Sequence, residues 1–362
     1  MQKIAFYIDN MNRGGAQRVM TNLCEYYAKK GTRVILINDY PSMGGKPIYS
    51  LSNSIKRVYL QEKYERNPIK NNIVRLMRLR TVLRNEGPDL VLSFLGGPNL
   101  RAIVATIGLN LKTVVSVRND PNMEYSKGGI KKRIVQQLFQ LVDGCVFQTR
   151  DAQAYFTEKV QKKSEIIFNP VNEKFYGTRR SPNAGEIVTA GRMNAQKRHD
   201  ILIQAFALHE KEHPNSVLYI YGDGPLRSQL ETLIDSLQLN EKVYLPGNIP
   251  DLEKKLETAS AFILSSDYEG MPNALMEAMA AGVPAISTNC PCGGPQMLDG
   301  NTGAVYLTEC GNVNELAKAM SEIVSDNNLA QKMSVLARKR ADLFKPEEVY
   351  KQWDKYLSSI VD

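Results

Sequence analysis

Short apolar runs alternate with amphipathic segments along most of the chain. In the first half the apolar runs are KIAFYID, RVILIND, DLVLSF, TVVSVR, GCVFQT and SEIIF, and helical patterns occupy residues 16–29, 69–84 and 130–142. Runs that are apolar at nearly every position are typical of parallel strands buried on both faces. The alternation therefore predicts an α/β fold in which helices cover both sides of a parallel sheet.

The pattern pauses in the polar stretch 172–185 and then restarts. The second half contains EIVTAGR, SVLYIYG, KVYLPG, SAFILSS and PAISTN, with helical patterns at 199–212, 226–238, 250–259 and 273–281. A chain of 362 residues is long enough for two such domains. We predict two doubly wound domains, residues 1–168 and 186–345, joined by a linker at 169–185 and followed by a helix at 346–362 that packs back across the first domain.

Composition is that of an ordinary soluble enzyme, with 43% hydrophobic and 23% charged residues. The N-terminus has no apolar segment of the signal-peptide kind, and no apolar run approaches the roughly 18 residues of a membrane span. We therefore expect a cytoplasmic protein. Five cysteines are an odd number without the spacing of a zinc site, so we expect reduced thiols and no metal centre.

Charge is segregated between the two halves. The net charge is +8, but residues 1–168 carry 27 Lys and Arg against 13 Asp and Glu, whereas residues 169–362 carry 19 against 25. This segregation predicts an anionic partner for the first half. The basic stretches have neither interleaved aromatic residues nor a known reader motif, so the sequence does not favour a nucleic-acid binder.

The stretch SSDYEGMPNALMEAMAAGVPAIST, residues 265–288, joins an apolar strand to a helix. Pro272 is expected at the first helical position, which leaves unpaired amides at the positive end of the helix. Those amides belong to Asn273, Ala274 and Leu275. They predict an anion-binding site.

Two glutamates eight positions apart flank this helix start. Glu277 lies a turn inside the helix, where a carboxylate repels phosphate but accepts hydrogen bonds from a ribose diol. Glu269, in the preceding loop, is placed to hold sugar hydroxyls or a developing positive centre. The alternative is that both are exposed glutamates that favour the helix dipole. That alternative explains Glu269 tolerably and explains Glu277, which has apolar neighbours, poorly.

Two cations stand near the start of the second domain, in GRMNAQKRHD. Arg192 ends a strand and Lys197 precedes a helix, so both can reach a diphosphate at the carboxyl edge of the sheet and neutralise its charge. The alternative is solvated surface charge. Glycines also follow strands, at Gly14, Gly15, Gly191 and Gly222; they do not form the dinucleotide fingerprint, and each taken alone is more typical of a turn.

Taken in order, these motifs resemble the retaining glycosyltransferases of family four. The matching features are the E-x7-E segment, G-R-x-x-x-Q-K-R, a G-D-G-P turn, a Gly-Gly-Ala loop and N-P-V at the domain junction. The resemblance covers essentially the whole chain. It implies the GT-B architecture, two Rossmann-like domains that face each other across a cleft, with the donor held mostly by the second domain and the acceptor by the first. It also implies that no metal or other cofactor is required.

The resemblance assigns roles residue by residue. Arg192, Lys197 and Glu269 are implied as the catalytic set, with the two cations on the donor diphosphate and no protein nucleophile. Glu277 is implied to hold the ribose. The remaining donor-binding positions are implied to be Gly14, Gly15, Gly191, Gly222, Gly270, Met271, Asn273, Ala274 and Leu275. The departing phosphate is implied to help deprotonate the acceptor, with retention of anomeric configuration.

The chain departs from the family pattern at two places. Many relatives have Glu where this chain has Gln17, and many have His where SVRND places Arg118. We assign Arg118 and Asn119 to sugar or acceptor recognition and leave ordinary structural roles open. The loop CPCGGPQMLDGNTG, residues 290–303, resembles the C-x-x-G-P loop of enzymes that build surface polysaccharides.

Basic residues of the first half fall into two groups. Lys131, Lys132 and Arg133 occupy a first helical turn, where the helix dipole disfavours cations, so they predict contact with an anionic acceptor or a bilayer surface. The arginines of helix 69–84 do not form one face, and we expect them on ordinary solvated surface.

These features predict a cytoplasmic, peripherally membrane-bound retaining glycosyltransferase. It is expected to move a hexose or N-acetylhexosamine from a UDP-sugar to a polyprenyl-diphosphate-linked saccharide during bacterial polysaccharide assembly. Its expected partners are the nucleotide-sugar donor, the lipid-linked acceptor and an anionic membrane surface. Two alternatives stay open, a retaining transferase with a soluble acceptor and a non-catalytic nucleotide-sugar sensor.

Overall fold

A computed structural model describes residues 1–12, 14–41, 50–62, 67–177 and 180–362. Arg13, next to the predicted glycine loop, and residues 178–179 of the predicted linker lie outside the described residues. The chain divides into two compact units, the first formed by residues 1–169 and 349–362 and the second by residues 170–348.

The first unit is built on a seven-stranded parallel sheet. Its strands are β1 (Lys3–Ile8), β2 (Arg33–Asn38), β3 (Lys56–Tyr59), β4 (Leu90–Phe94), β5 (Lys112–Ser116), β6 (Gly144–Phe147) and β7 (Ser164–Ile166). They lie in the order β3-β2-β1-β4-β5-β6-β7, and every neighbouring pair is parallel. The order reverses between β1 and β4, as in a doubly wound sheet.

Helices cover both faces of this sheet. They are α1 (Gly15–Lys29), α2 (Pro68–Glu86), α3 (Gly96–Thr106), α4 (Pro121–Glu124), α5 (Gly129–Phe139), α6 (Arg150–Ala154) and α7 (Glu158–Gln161), with the final helix α15 (Pro346–Val361). Right-handed connections place α2, α3 and α5 on one face and α1 on the other. The α15 helix packs beside α1, since Tyr350 stacks on Tyr26 with ring centroids 4.7 Å apart and Trp353 stacks on Phe94 at 6.0 Å.

The second unit has a six-stranded parallel sheet in the order β10-β9-β8-β11-β12-β13. Its strands are β8 (Glu186–Ala190), β9 (Val217–Tyr221), β10 (Val243–Gly247), β11 (Ala261–Leu264), β12 (Ala285–Thr288) and β13 (Val305–Thr308). Its helices are α8 (His199–Glu212), α9 (Arg227–Ser236), α10 (Leu252–Thr258), α11 (Asn273–Ala281), α12 (Gly294–Asp299), α13 (Val313–Ser325) and α14 (Asn327–Ala341). The order again reverses, between β8 and β11. The predicted α/β class with two doubly wound sheets is confirmed.

The apolar runs of the sequence form strands, and helices bury both faces of these strands. All five residues of β4 are buried, and so are all four of β11. Two strands were not predicted, β3 and β13, which both lie at sheet edges; β3 has no buried position, and β13 is buried only at its first and last residues. No helix among the described residues is long and apolar enough to cross a membrane.

Candidate functional site

The two motif-bearing loops of the second unit follow neighbouring strands. β8 ends at Ala190 and leads into Arg192, while β11 ends at Leu264 and leads toward Glu269. These strands pair with each other at the point where the strand order reverses. In doubly wound sheets the crevice at the carboxyl ends of such strands is where ligands bind. The fold therefore brings the cationic loop and the acidic loop to one place.

An ion pair joins the two loops at this place. Lys197, which ends a short 3-10 turn, places its Nζ 2.6 Å from Oε1 of Glu269. The Ser266 hydroxyl donates to the same carboxylate oxygen at 2.7 Å. The Glu269 side chain is 9% exposed and that of Lys197 is 18% exposed, so the pair is mostly shielded from water. Lys197 is therefore engaged with a carboxylate, and a diphosphate has to compete with Glu269 for it.

Further bonds hold the two loops in register. No local pattern predicts them, because they join residues about 70 positions apart and follow no spacing rule. They are Gln196 Nε2 to the Tyr268 carbonyl at 2.8 Å, the Asp267 amide to the Gln196 carbonyl at 2.9 Å, Ser265 Oγ to the Lys197 carbonyl at 2.8 Å, and the Arg198 guanidinium to Asp267 at 3.1 Å. The geometry of the pair is thus fixed by the fold.

Arg192 differs from Lys197 in its surroundings. Its side chain is exposed, and it forms no hydrogen bond or ion pair with any residue in the described part of the chain. A guanidinium in this state offers its full set of donors to a phosphate, which it matches in a bidentate manner. The two predicted cations are therefore unequal, since Arg192 is available and Lys197 is shared.

The α11 helix presents an uncapped N-terminus. Helical geometry begins at Asn273, so Pro272 is the N-cap and not, as predicted from the sequence, the first helical residue. The correction follows from the extended ψ of Pro272, 105°. Within the described part of the chain no side chain caps this end, and no carboxylate lies in its first turn. The amides of residues 273–275 form the positive end of the helix, which favours an anion.

Both glutamates of the motif are buried in the folded unit. Glu277 is 4% exposed and lies on a helix whose residues 275–281 are all buried, and Glu269 is 7% exposed. Exposed glutamates that merely favour the helix dipole would be solvated, so that alternative fails for both residues. A buried carboxylate needs hydrogen-bond donors around it. Glu269 receives such donors from Lys197 and Ser266.

Close backbone contacts require glycine at two positions of the second unit. A Cβ on Gly222, whose φ is +121°, would stand 2.0 Å from the Gly191 carbonyl oxygen, and a Cβ on Gly294 would stand 1.8 Å from the Gly270 oxygen. Only glycine fits such contacts. Gly222 therefore has a packing role against Gly191, and the binding roles of both glycines stay predictions.

His199 begins α8 directly after the cationic loop. It is buried, and burial, reinforced by the positive charge of Lys197, lowers its pKa to about 4. The imidazole is therefore neutral at pH 7 and adds no charge to the site.

The predicted Gly-Gly loop of the first unit begins α1, where Gly14 is the N-cap and Gly15 the first helical residue. The Gln17 side chain hydrogen-bonds to Asp9, a half-buried carboxyl whose pKa is raised by desolvation. A glutamate at position 17, as many relatives have, would place two carboxylates together. Glutamine at position 17 thus avoids repulsion between two neighbouring carboxylates.

Arg118 follows β5 in the first unit and is buried. Its guanidinium lies 4.5 Å from the ring centroid of Phe94 and donates to Asn169, and burial lowers its pKa to about 9. Nearby, burial raises the pKa of Glu124 to about 7 while its Oε1 accepts from the Gly96 amide at 3.1 Å. Arg118 thus belongs to a buried polar cluster, and Asn119 beside it is half-buried.

The three cations of α5 are not equivalent either. Lys131 and Arg133 are exposed, whereas Lys132 lies with Nζ 4.4 Å from the ring centroid of Tyr155. Lys132 is therefore partly held by an aromatic ring.

Two family models match consecutive parts of the chain. The model described as Glycosyltransferase Family 4 matches residues 13–175, and the model described as Glycosyl transferases group 1 matches residues 173–340. Together they span nearly all of both units.

Known proteins resemble the chain over its full length. A Campylobacter jejuni protein is 25% identical over 99% of both chains; it is named as an alpha-1,4-N-acetyl-D-galactosaminyltransferase acting on GalNAc-alpha-(1->4)-GalNAc-alpha-(1->3)-diNAcBac-PP-undecaprenol. Among solved structures, sucrose-phosphate synthase from Thermosynechococcus elongatus has a TM-score of 0.84 at 19% identity, with 99% of each chain covered. HepE from Anabaena, solved with UDP-glucose, has a TM-score of 0.81 at 17% identity, with 99% of each chain covered. These structures confirm the predicted GT-B fold.

Proposed function

We propose that this chain, which belongs to the family 4 glycosyltransferases, transfers a hexose or N-acetylhexosamine from a UDP-sugar to a polyprenyl-diphosphate-linked saccharide, with retention of anomeric configuration. The observation that carries the proposal is the arrangement at the β8–β11 edge. At that edge Arg192 follows β8, and Lys197 pairs with Glu269, which follows β11. The loop after β11 then leads to the uncapped N-terminus of helix α11.

The donor diphosphate is held by positive charge from three sources in this proposal. Arg192 binds it as a free guanidinium, Lys197 turns toward it from Glu269, and the first amides of α11 add the positive end of the helix dipole. As the glycosyl bond breaks, negative charge grows on the leaving diphosphate, and preorganised cations stabilise it without reorganisation. The residues present thus supply the charge that a metal supplies in other transferases, and the proposal includes no cofactor.

The two buried carboxylates hold hydroxyl groups. Glu277, a turn inside α11, accepts hydrogen bonds from the ribose of the nucleotide. Glu269 accepts from the sugar and stabilises the oxocarbenium-like charge at its anomeric carbon. No side chain acts as a nucleophile, and the departing phosphate takes the proton of the acceptor hydroxyl.

The lipid-linked acceptor is supported by charge and by relatives. The first unit contains most of the excess Lys and Arg. The Campylobacter jejuni relative is named for an acceptor linked to undecaprenol through a diphosphate. We place the protein at the cytoplasmic face of the membrane, bound peripherally, in bacterial polysaccharide or glycan assembly.

The test is UDP release across a panel of UDP-hexoses and UDP-N-acetylhexosamines, with and without a polyprenyl-diphosphate disaccharide. Release that depends on both donor and acceptor is expected, and Lys197→Ala should abolish it. Lys318→Ala is the matched control, because Lys318 forms an exposed ion pair with Glu322 in the same unit. UDP binding without turnover on any pair would indicate a nucleotide-sugar sensor. Turnover with free oligosaccharides alone would favour the soluble-acceptor transferase.

A further inference from the structure

The outer surface of one helical layer of the first unit is strongly cationic. Helix α2 packs on α3, and α3 packs on α5, along the same face of the sheet. The three helices carry nine Lys and Arg, five on α2, one on α3 and three on α5, against a single carboxylate. That carboxylate, Glu86, is already paired with Lys3 and Lys56. Two of the nine cations, Arg75 and Arg101, pair with the buried Asp39 and do not contribute to the outer surface. The exposed cations of the layer are Lys70, Arg78, Arg84, Lys131 and Arg133, so its outer surface has a net positive charge.

Helix α2 also presents an apolar stripe to the solvent. Its buried face includes Leu79 and Leu83, four positions apart. On the opposite side Ile69, Ile73 and Met77 repeat at the same spacing and are 71%, 53% and 65% exposed. Residues four apart lie on one side of a helix, so these three form a continuous stripe over two turns. A solvated surface helix would carry polar residues there.

The α5 helix repeats this arrangement. Ile130 and Ile134, one turn apart, are 77% and 54% exposed, and the exposed cations Lys131 and Arg133 lie between them. Other large apolar side chains exposed on or beside the layer are Val104, Ile107, Met123 and Leu141. Exposed aliphatic groups are thus interleaved with basic groups across the helix layer α2–α3–α5.

The basic residues of the layer limit which partner can bind its outer surface. A second copy of the chain would bring the same cationic surface opposite itself, because a two-fold interface pairs identical patches. Like charges across an interface are repelled. An anionic bilayer instead accepts aliphatic side chains at the boundary of headgroups and acyl chains and attracts Lys and Arg to its phosphates.

We propose that the outer surface of the helix layer α2–α3–α5 docks the chain on an anionic lipid bilayer. This assigns the outer face of α2, a helix whose arginines were expected on ordinary solvated surface, to membrane contact. The docking surface rests on the membrane association in the proposed function and names the residues responsible for it. These exposed side chains take no part in donor binding.

The experiment is co-sedimentation of the full chain with vesicles of phosphatidylglycerol and phosphatidylethanolamine, compared with phosphatidylcholine alone. Preferential binding to the anionic vesicles is expected, and high salt should weaken it. The triple variant Ile69→Ser, Ile73→Ser, Met77→Ser should lower the partition coefficient by about tenfold or more, because three aliphatic side chains no longer enter the bilayer. The matched control, Leu237→Ser, Val335→Ser, Leu343→Ser, removes three exposed aliphatic side chains from the second unit and should bind as wild type.

Other results would overturn the inference. These are a wild type that does not sediment with anionic vesicles, a triple variant that binds as wild type, and a control variant that loses as much binding. A dimer in sedimentation velocity that the triple variant dissociates, without vesicle binding, would assign the surface to a second copy. UDP binding, measured on every variant by calorimetry, separates the two proposals. Nucleotide binding without vesicle binding removes only the docking surface, and vesicle binding without nucleotide binding removes only the transferase.

Discussion

Glu269 and Lys197 should affect nucleotide affinity in opposite directions. The Lys197→Met variant removes one charge-assisted contact to the diphosphate, which is worth about 1.5–3 kcal/mol, and UDP should bind roughly 10- to 150-fold more weakly. In Glu269→Gln the lysine loses the carboxylate 2.6 Å away that competes with phosphate, and the site loses a negative charge. UDP should then bind more tightly by about 1 kcal/mol, or roughly fivefold. Sugar transfer should fall in both variants.

The same pair should couple in the stability of the nucleotide-free protein. Lys197→Met leaves the Glu269 carboxylate, 9% exposed, with the Ser266 hydroxyl as its remaining side-chain donor in the described part of the chain. Breaking a fully buried pair costs about 3–5 kcal/mol, and the 18% exposure of Lys197 reduces this to about 1–3 kcal/mol. The double variant Lys197→Met, Glu269→Gln should be less destabilised than Lys197→Met, since no unpaired charge remains in it.

Calorimetric titration measures the UDP affinity, and denaturant unfolding measures the free energy of unfolding. Both are applied to the wild type, the two single variants and the double variant. The exposed pair Lys318–Glu322, 3.7 Å apart, gives a matched cycle in which the coupling should be below about 0.5 kcal/mol. The reasoning is refuted if Lys197→Met binds UDP as wild type does, or if Glu269→Gln weakens UDP binding as much as Lys197→Met.

Three further substitutions test single features. Glu277→Gln should weaken UDP binding about tenfold and 2′-deoxy-UDP binding less than twofold in calorimetry, because the ribose hydroxyls lose a charged acceptor; equal losses would contradict the ribose role. Gly294→Ala, whose Cβ would meet the Gly270 oxygen at 1.8 Å, should cost roughly 1–3 kcal/mol in urea unfolding, whereas Gly128→Ala, in open space, should cost far less. Burial raises the pKa of Glu124 from 4.5 to about 7, so the stability given by its neutral form is full below pH 4.5 and lost as the pH rises through 7. Glu124→Gln should therefore gain about 2 kcal/mol more over wild type at pH 8 than at pH 5, and an equal difference at both would refute the shift.

Strands buried on both faces were predictable from the sequence alone. A run such as LVLSF in β4 is apolar because helices cover both sides, and each run of this kind became a strand. The loops that follow such strands must meet at one sheet edge, so the meeting of the Lys197 loop with the Glu269 loop follows from the strand order.

Other features depend on long-range packing that no local pattern encodes. Arg75 was expected on solvated surface, and that expectation is wrong, since it is buried with Nη1 2.9 Å from Asp39, a residue 36 positions away. Helix α2 has two apolar stripes, and only the tertiary fold decides that Leu79 and Leu83 face the sheet while Ile69 and Met77 face outward. The ion pair of Lys197 with Glu269 was likewise unforeseen, because spacing predicts proximity but not pairing.

The proposed reaction is sugar transfer from a UDP-sugar to a polyprenyl-diphosphate-linked saccharide. Mass spectrometry of that acceptor, after incubation with each UDP-sugar of the panel, tests it most directly. We expect one donor to add the mass of a single hexose or N-acetylhexosamine to the acceptor, with one UDP released per sugar added, and we expect Lys197→Ala to abolish the product. An unchanged acceptor with every donor, from protein that still binds UDP, would contradict it.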